Sequence, residues 1–215
     1  MILVNFKTTK EGTGENAVKL AKICEKIQKE TKIEIVPVVQ AADCYRVSKA
    51  VHTKIFVQHI DPVEYGANTG NILPEAVKQN GAVGTLINHA EKQIDLNVIK
   101  KTIERAKELN LITVVCIAKP SLAKKVAQMS PDYLAIEPPE LIGGNISVAT
   151  AKPELIVQCV ENADGTPVLC GAGIKTIEDV KKALEYGARG ILIASGITKA
   201  DNPEAKLREL AKGFQ

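Results

Sequence analysis

The sequence predicts an α/β chain folded as a single (β/α)8 barrel. Eight short apolar runs alternate with amphipathic stretches from end to end, and most of the runs are apolar at consecutive positions. Such alternation marks repeated βα units around a parallel sheet, and strands covered on both faces need apolar residues at successive positions rather than at every second one. Two of the runs also echo each other half a chain apart, in Gly81-Ala82-Val83-Gly84-Thr85-Leu86-Ile87 and Gly187-Ala188-Arg189-Gly190-Ile191-Leu192-Ile193. A weak internal repeat fits a closed ring of units.

The runs begin near Ile2, Ile33, Ile55, Val83, Leu111, Tyr133, Pro167 and Gly190. After the first, Ala17, Leu20, Ala21, Cys24 and Ile27 share one face of a 3.6-residue helix. Gly81 closes the helix that precedes the fourth run. After that run, Leu96, Ile99, Ile103 and Ala106 repeat the helical spacing. The sixth run, Tyr133 to Ile136, must stop at about Glu137, because neither Pro138 nor Pro139 has an N–H to give a sheet. Beyond the seventh, Thr176 and Asp179 are spaced as a capping box, and Gly187 ends the helix they open. Asn202-Pro203 sets a capping residue before a first-turn proline. No Pro/Ser-rich linker divides the chain, so residues 1–215 are expected to form one domain.

Composition narrows the function. The chain has 215 residues, 45% apolar and 25% charged, and no apolar run approaches the roughly 20 residues that span a bilayer. The apolar start, Met1 to Phe6, is too short for a signal peptide and has no basic residue before it, so a cytoplasmic protein is expected. Cys24, Cys44, Cys116, Cys159 and Cys170 are odd in number and lack Cys-x-x-Cys spacing, which argues for reduced thiols over a disulfide framework or a zinc site. A net charge of +3 spread over Lys/Glu-rich helices, with 3% aromatics and no Trp, makes nucleic acid an unsuitable partner.

In a barrel of this kind the active site lies at the C-terminal ends of the strands. That rule selects Asn5 and Lys7, Gln58 and His59, His89 and Glu91, Cys116, Glu137, Gly171 to Gly173, and Ala194, Ser195 and Gly196. The most informative of these stretches is Ala135-Ile136-Glu137-Pro138-Pro139-Glu140-Leu141-Ile142-Gly143-Gly144. A carboxylate ends an apolar strand, two prolines stop the sheet, and glycines follow that permit movement and close backbone approach. It reads as a catalytic base on a hinged lid, suited to a phosphorylated small molecule. Glu140 competes locally, and Glu137 is preferred because it directly terminates the strand.

Together these positions resemble triosephosphate isomerase, in its short archaeal-type branch, over almost the whole chain. Asn5-Phe6-Lys7 is similar to the family's Asn-x-Lys opening, Gly66 to Gly70 to its subunit-contact loop, and His89-Ala90-Glu91 to its His-Ser-Glu motif. Glu137 to Gly143 is similar to its base and lid, and Cys170-Gly171-Ala172-Gly173 and Ile193-Ala194-Ser195-Gly196 to its two phosphate loops. The resemblance implies a TIM barrel that interconverts dihydroxyacetone phosphate and glyceraldehyde 3-phosphate through an enediolate, with no cofactor and no metal.

It also implies roles. Glu137 would be the base, its pKa raised by exclusion of water. His89 would be a neutral electrophile on the substrate oxygens, and Lys7 a fixed positive charge facing the enediolate and phosphate. Asn5, on the same pleat face as Lys7, would orient oxygens. Glu91 would pair with Lys7, and Cys116 would lie behind the site. With no arginine clamp in view, backbone amides at Gly143, Gly171, Gly173, Ala194 and Ser195 would bind the phosphate, helped by a short helix after the eighth strand. For His59, two placements are open, in the site or packed under the third loop. The Gly66 to Gly70 loop implies a homodimer or homotetramer.

Two departures stand out. Ala90 replaces the family's serine, and Ile142-Gly143-Gly144-Asn145 replaces its Ile-Gly-Thr-Gly lid, so a looser lid that releases more methylglyoxal is expected. A Schiff-base aldolase or metal-dependent epimerase lacks support, since there is no strand-centred lysine beyond Lys7 and no cluster of His/Asp ligands. A non-catalytic phosphate-binding barrel is separable by kinetics.

Overall fold

In the computed structural model, which describes residues 1–138 and 147–215, every strand pairs in parallel with the next in sequence and the last returns to the first. The strands are β1 (Ile2–Asn5), β2 (Ile35–Val39), β3 (Phe56–Val57), β4 (Gly84–Ile87), β5 (Ile112–Ile117), β6 (Tyr133–Ile136), β7 (Val168–Cys170) and β8 (Gly190–Ile193). Ile2 faces Ile35 on one side and Ile191 on the other, which closes the barrel. The eight-stranded α/β expectation is borne out, and each strand starts within two residues of its apolar run.

Helices fill the connections: α1 (Glu15–Thr31), α2 (Ala41–Ser48), α3 (Pro74–Gln79), α4 (Leu96–Glu108), α5 (Ala123–Ala127), α6 (Val148–Ala151), α7 (Pro153–Asn162), α8 (Ile177–Glu185), α9 (Ser195–Thr198) and α10 (Pro203–Ala211). The face read from the sequence on α1, Ala17, Leu20, Ala21, Cys24 and Ile27, is the face it buries. On α4, Ile99, Ile103 and Ala106 are buried and Leu96 packs at the edge of the core. Thr176 and Asp179 form the expected capping box on α8, and the Asn202 side chain accepts from Ala205 N at the start of α10. Gly81 and Gly187 follow α3 and α8 at φ +97 and +94, the left-handed geometry that ends a helix and that a Cβ would oppose.

The core has two shells, separated by the two-residue period of the strands. Leu3, Val36, Val38, Phe56, Leu86, Val114, Cys116, Ala135, Leu169 and Leu192 fill the barrel interior. Their neighbours Ile2, Val4, Ile35, Ile87, Val115, Ile136 and Ile193 point outward and pack with the helices. All five cysteines are buried free thiols. Burial pushes Cys24, Cys159 and Cys170 up to about 12 and Cys44 to about 11, and holds Cys116 well above the usual thiol range. No helix among the described residues is long and apolar enough to cross a membrane.

Candidate active site

The strand period that fills the interior also delivers the site. Leu3, Ala135, Leu169 and Leu192 point into the barrel, and two residues later Asn5, Glu137, Gly171 and Ala194 line a cleft at its C-terminal mouth. Strand β4 needs a different device, because Leu86 points in, Ile87 points out, and strict alternation would turn residue 89 outward as well. Asn88 takes φ +62 and breaks the alternation, and His89 enters the cleft. The Asn88 amide is fixed by donating to Cys116 O (2.9 Å) and accepting from Ile94 N (2.9 Å).

The cleft, about 60 Å³, is lined by Asn5, Lys7, His89, Glu137, Gly171 and Gly173 together with Lys175, Ala194 and Ser195. Beside it opens a broader hollow of about 590 Å³ that shares Asn5, Lys7 and His89 and is also walled by Gln58, His59 and Glu91. His59 thus lines the neighbouring hollow, where Nε2 contacts Asp61 Oδ1 at 3.0 Å.

Glu137 is 3% exposed, and its Oε1 stands 3.6 Å from His89 Nε2 across the cleft. Burial pushes its pKa up to about 7, against the pull of the Cys116 thiol and the Lys7 charge. Oε2 is buried with no hydrogen-bond partner among the described residues. Glu137 also borders a small crevice of about 10 Å³ that is bounded by Asn88, Ala90, Gln93 and Cys116.

His89 is held by the backbone. Glu91 N donates to its Nδ1 at 3.2 Å, which assigns the ring proton to Nε2, the nitrogen that faces Glu137. Burial, reinforced by the Lys7 charge, lowers the pKa of the ring below its ordinary value, so the imidazole is neutral near pH 7.

Lys7 sits at φ +49, a conformation that costs a non-glycine residue energy and persists only where its surroundings impose it. They do so at both ends of the residue. Its N–H donates to Asn5 Oδ1 (3.0 Å), and its carbonyl accepts from Gln58 Nε2 (2.8 Å). The ammonium then reaches Glu91 Oε1 at 2.6 Å.

On the opposite wall, backbone replaces side chains. The amide of Gly171, expected from the sequence to bind phosphate, instead donates to Ile136 O at 3.0 Å and continues the sheet ladder. The amides that open α8 are taken as well, since Lys175 N and Thr176 N both donate to Asp179 Oδ2. After β8, Ile197 N and Thr198 N turn back onto Ala194 O, while Ser195 and Gly196 stand at the first turn of α9, where helix amides have no intrahelical acceptor. Gly143, Glu140 and the Gly143-Gly144-Asn145 departure lie outside the described residues. No group of three His, Cys, Asp or Glu side chains able to hold a metal ion occurs among the described residues.

A family model described as triosephosphate isomerase matches residues 1–212. The chain belongs to the triosephosphate isomerase family. It is 46% identical over 214 residues to a triosephosphate isomerase of Methanobacterium bryantii, covering 98% of this chain and 95% of that one. It is 45% identical over 216 residues to that of Methanocaldococcus jannaschii, covering 99% of each. These archaeal relatives agree with the branch that the sequence resembles. A crystal structure of triosephosphate isomerase from Bartonella henselae superposes with a TM-score of 0.77 at 16% identity, covering 99% of this chain and 98% of that one, a likeness of fold.

For this triosephosphate isomerase family member, sequence reasoning selected nearly every cleft residue that lies directly after a strand. It did not single out Ile174 and Lys175, which follow the Gly171 to Gly173 turn, nor the anchoring work of Asn88. A lysine two residues beyond a Gly-rich turn was the available signal for Lys175. Asn88 had the weaker signal of an Asn at a strand end, a residue type that tolerates positive φ.

Proposed function

We propose that this chain interconverts dihydroxyacetone phosphate and D-glyceraldehyde 3-phosphate without a cofactor. What carries the reading is the facing pair Glu137 Oε1 and His89 Nε2, 3.6 Å apart over a cleft that the Lys7 side chain also lines. Glu137 takes a proton from the carbon next to the substrate carbonyl, and electrons move onto the carbonyl oxygen. The Nε2–H of His89 donates to that oxygen, and the Lys7 ammonium lowers the energy of the enediolate. His89 passes the proton between the two oxygens, Glu137 returns its own to the neighbouring carbon, and the aldose or ketose results with no net change in atoms. Amides at Gly173, Ala194 and Ser195, with the cation of Lys175 alongside, receive the phosphate, while Gly171 brings the loop close with its own N–H held by Ile136 O.

We further propose that the protein acts in the cytoplasm as one domain spanning residues 1–215 and that it self-associates as a homodimer or homotetramer. The exposed Gly66–Gly70 loop would seat on a second copy. A monodisperse monomer with full activity in sedimentation velocity would sink that part.

The deciding assay is triose phosphate interconversion by wild-type protein and Glu137→Gln in metal-free buffer, with a linked dehydrogenase reporting product. Robust wild-type turnover that falls at least a thousandfold in the variant is expected. A wild type that binds substrate yet does not turn it over would mean a non-catalytic barrel.

A further inference from the structure

Asp179 was legible in the sequence as the acidic half of a capping box, and a cap needs only part of its carboxylate. Oδ2 does that work, accepting from Thr176 N (2.9 Å) and Thr176 Oγ1 (2.9 Å), and it also takes Lys175 N (3.0 Å). Oδ1 turns to a different part of the chain. It accepts from Ser147 Oγ at 2.5 Å and Thr150 Oγ1 at 3.1 Å, both from the segment that opens α6. The Ser147 hydroxyl in turn accepts from Thr150 N at 3.2 Å, so the same oxygen that caps α6 is tied to the residue that caps α8. A backbone bond, Val148 N to Ala172 O at 3.1 Å, joins the same two segments. Ser147 is 2% exposed and Asp179 8%, so the Ser147–Asp179 bond is shielded from water, while Thr150 stands at the exposed edge of the network.

The loop pinned in this way is the one that lines the cleft with Gly171, Gly173, Ile174 and Lys175. We infer that Asp179 is a positioning residue for the phosphate end of the substrate, setting the loop between β7 and α8 in register with the start of α6 through Ser147 and Thr150. This rests on the isomerase reading for the identity of the substrate. The carboxylate also removes the Lys175 and Thr176 amides from the anion's reach, and Ile136 O takes that of Gly171, which leaves the phosphate to Gly173 and the Ala194–Ser195 turn. An ionised group buried among five donors has strong bonds at both oxygens, so losing either set lets the loop shift relative to its neighbours.

The test separates the tie from the cap. Ser147→Ala combined with Thr150→Val removes both bonds to Oδ1 and leaves the α8 capping box intact, although it also removes the Ser147 cap on α6, whose cost the thermal midpoint reports. Asp179→Asn is the second variant, since its amide can serve one set of partners only by facing the other with N–H groups. Each is measured for dissociation of inorganic phosphate by calorimetry, for KM and kcat with dihydroxyacetone phosphate, and for thermal midpoint. The expected result is a five- to twentyfold rise in both KM and the phosphate dissociation constant, with kcat within about threefold of wild type. A lowered midpoint with unchanged KM and phosphate affinity overturns the inference and makes the network structural only. A fall in kcat at constant phosphate affinity overturns it as well. Should wild-type protein prove inactive, the isomerase reading fails alone, because the phosphate titration still decides whether Asp179 sets this loop.

Discussion

Glu137 rests against the bare α-carbon of Gly171, close enough that a Cβ on that residue would lie 2.4 Å from Glu137 Cγ. The backbone there is tied as well, Gly171 N donating to Ile136 O at 3.0 Å, so the loop cannot simply back away. Gly171→Ala is expected to push the base off its line by about 1 Å and to lower kcat/KM by about a hundredfold or more. Steady-state kinetics beside circular dichroism checks it, and an alanine variant within threefold of wild type would show that Glu137 is not held from this side.

Ionisation of the base sets the acid limb of activity. With Glu137 at about 7 through burial, the fraction able to take a proton falls as pH drops below 7. kcat/KM should decline by about tenfold per pH unit there. His89, lowered by burial and by Lys7, contributes no protonation of its own near pH 7. A pH–rate profile flat down to pH 5 would contradict the environment described for Glu137.

The same carboxyl lowers the stability of the fold at working pH. Its folded pKa lies above the ordinary 4.5, so the folded state holds the proton more tightly. That advantage is fully present below about pH 4.5 and is lost as pH rises through 7, leaving a cost on the order of 3 kcal/mol above it. Glu137→Gln should therefore unfold at higher denaturant than wild type at pH 8, with the gap closing toward pH 4.5. Equal midpoints at pH 8 would refute this.

Gln58 is the clamp on the strained backbone of Lys7. Gln58→Leu keeps the bulk and removes the bond to the carbonyl, and the ammonium should wander from its place opposite Glu91. A drop in kcat/KM of about tenfold is expected with little change in melting temperature. An unchanged kcat/KM would show that Asn5 alone fixes Lys7.

Ala90 and Glu137 line the same small crevice. Ala90→Ser adds one hydroxyl to that crevice, and turnover should change by only a few fold. A thousandfold loss would mean that the crevice is misdescribed.

The barrel was legible because its strands are apolar at consecutive positions and its helices carry clean stripes and caps. Even the shortest strands, Phe56–Val57 and Val168–Cys170, lie inside apolar runs that the sequence displays. Asn5, Lys7, His89 and Glu137 were legible too, because one rule places them at strand ends. What escaped is tertiary in origin. That Asn88 turns His89 inward, that Gln58 reaches Lys7, and that Asp179 serves Ser147 across 32 positions depend on distances no periodicity encodes.

The five buried thiols have a practical consequence. A maleimide or disulfide reagent needs thiolate in contact with water, and the folded protein offers it at none of Cys24, Cys44, Cys116, Cys159 or Cys170. Labelling must then wait for the chain to open. The mass gained over time becomes a clock for unfolding events: partial openings add one or two adducts, and a global event adds all five at once.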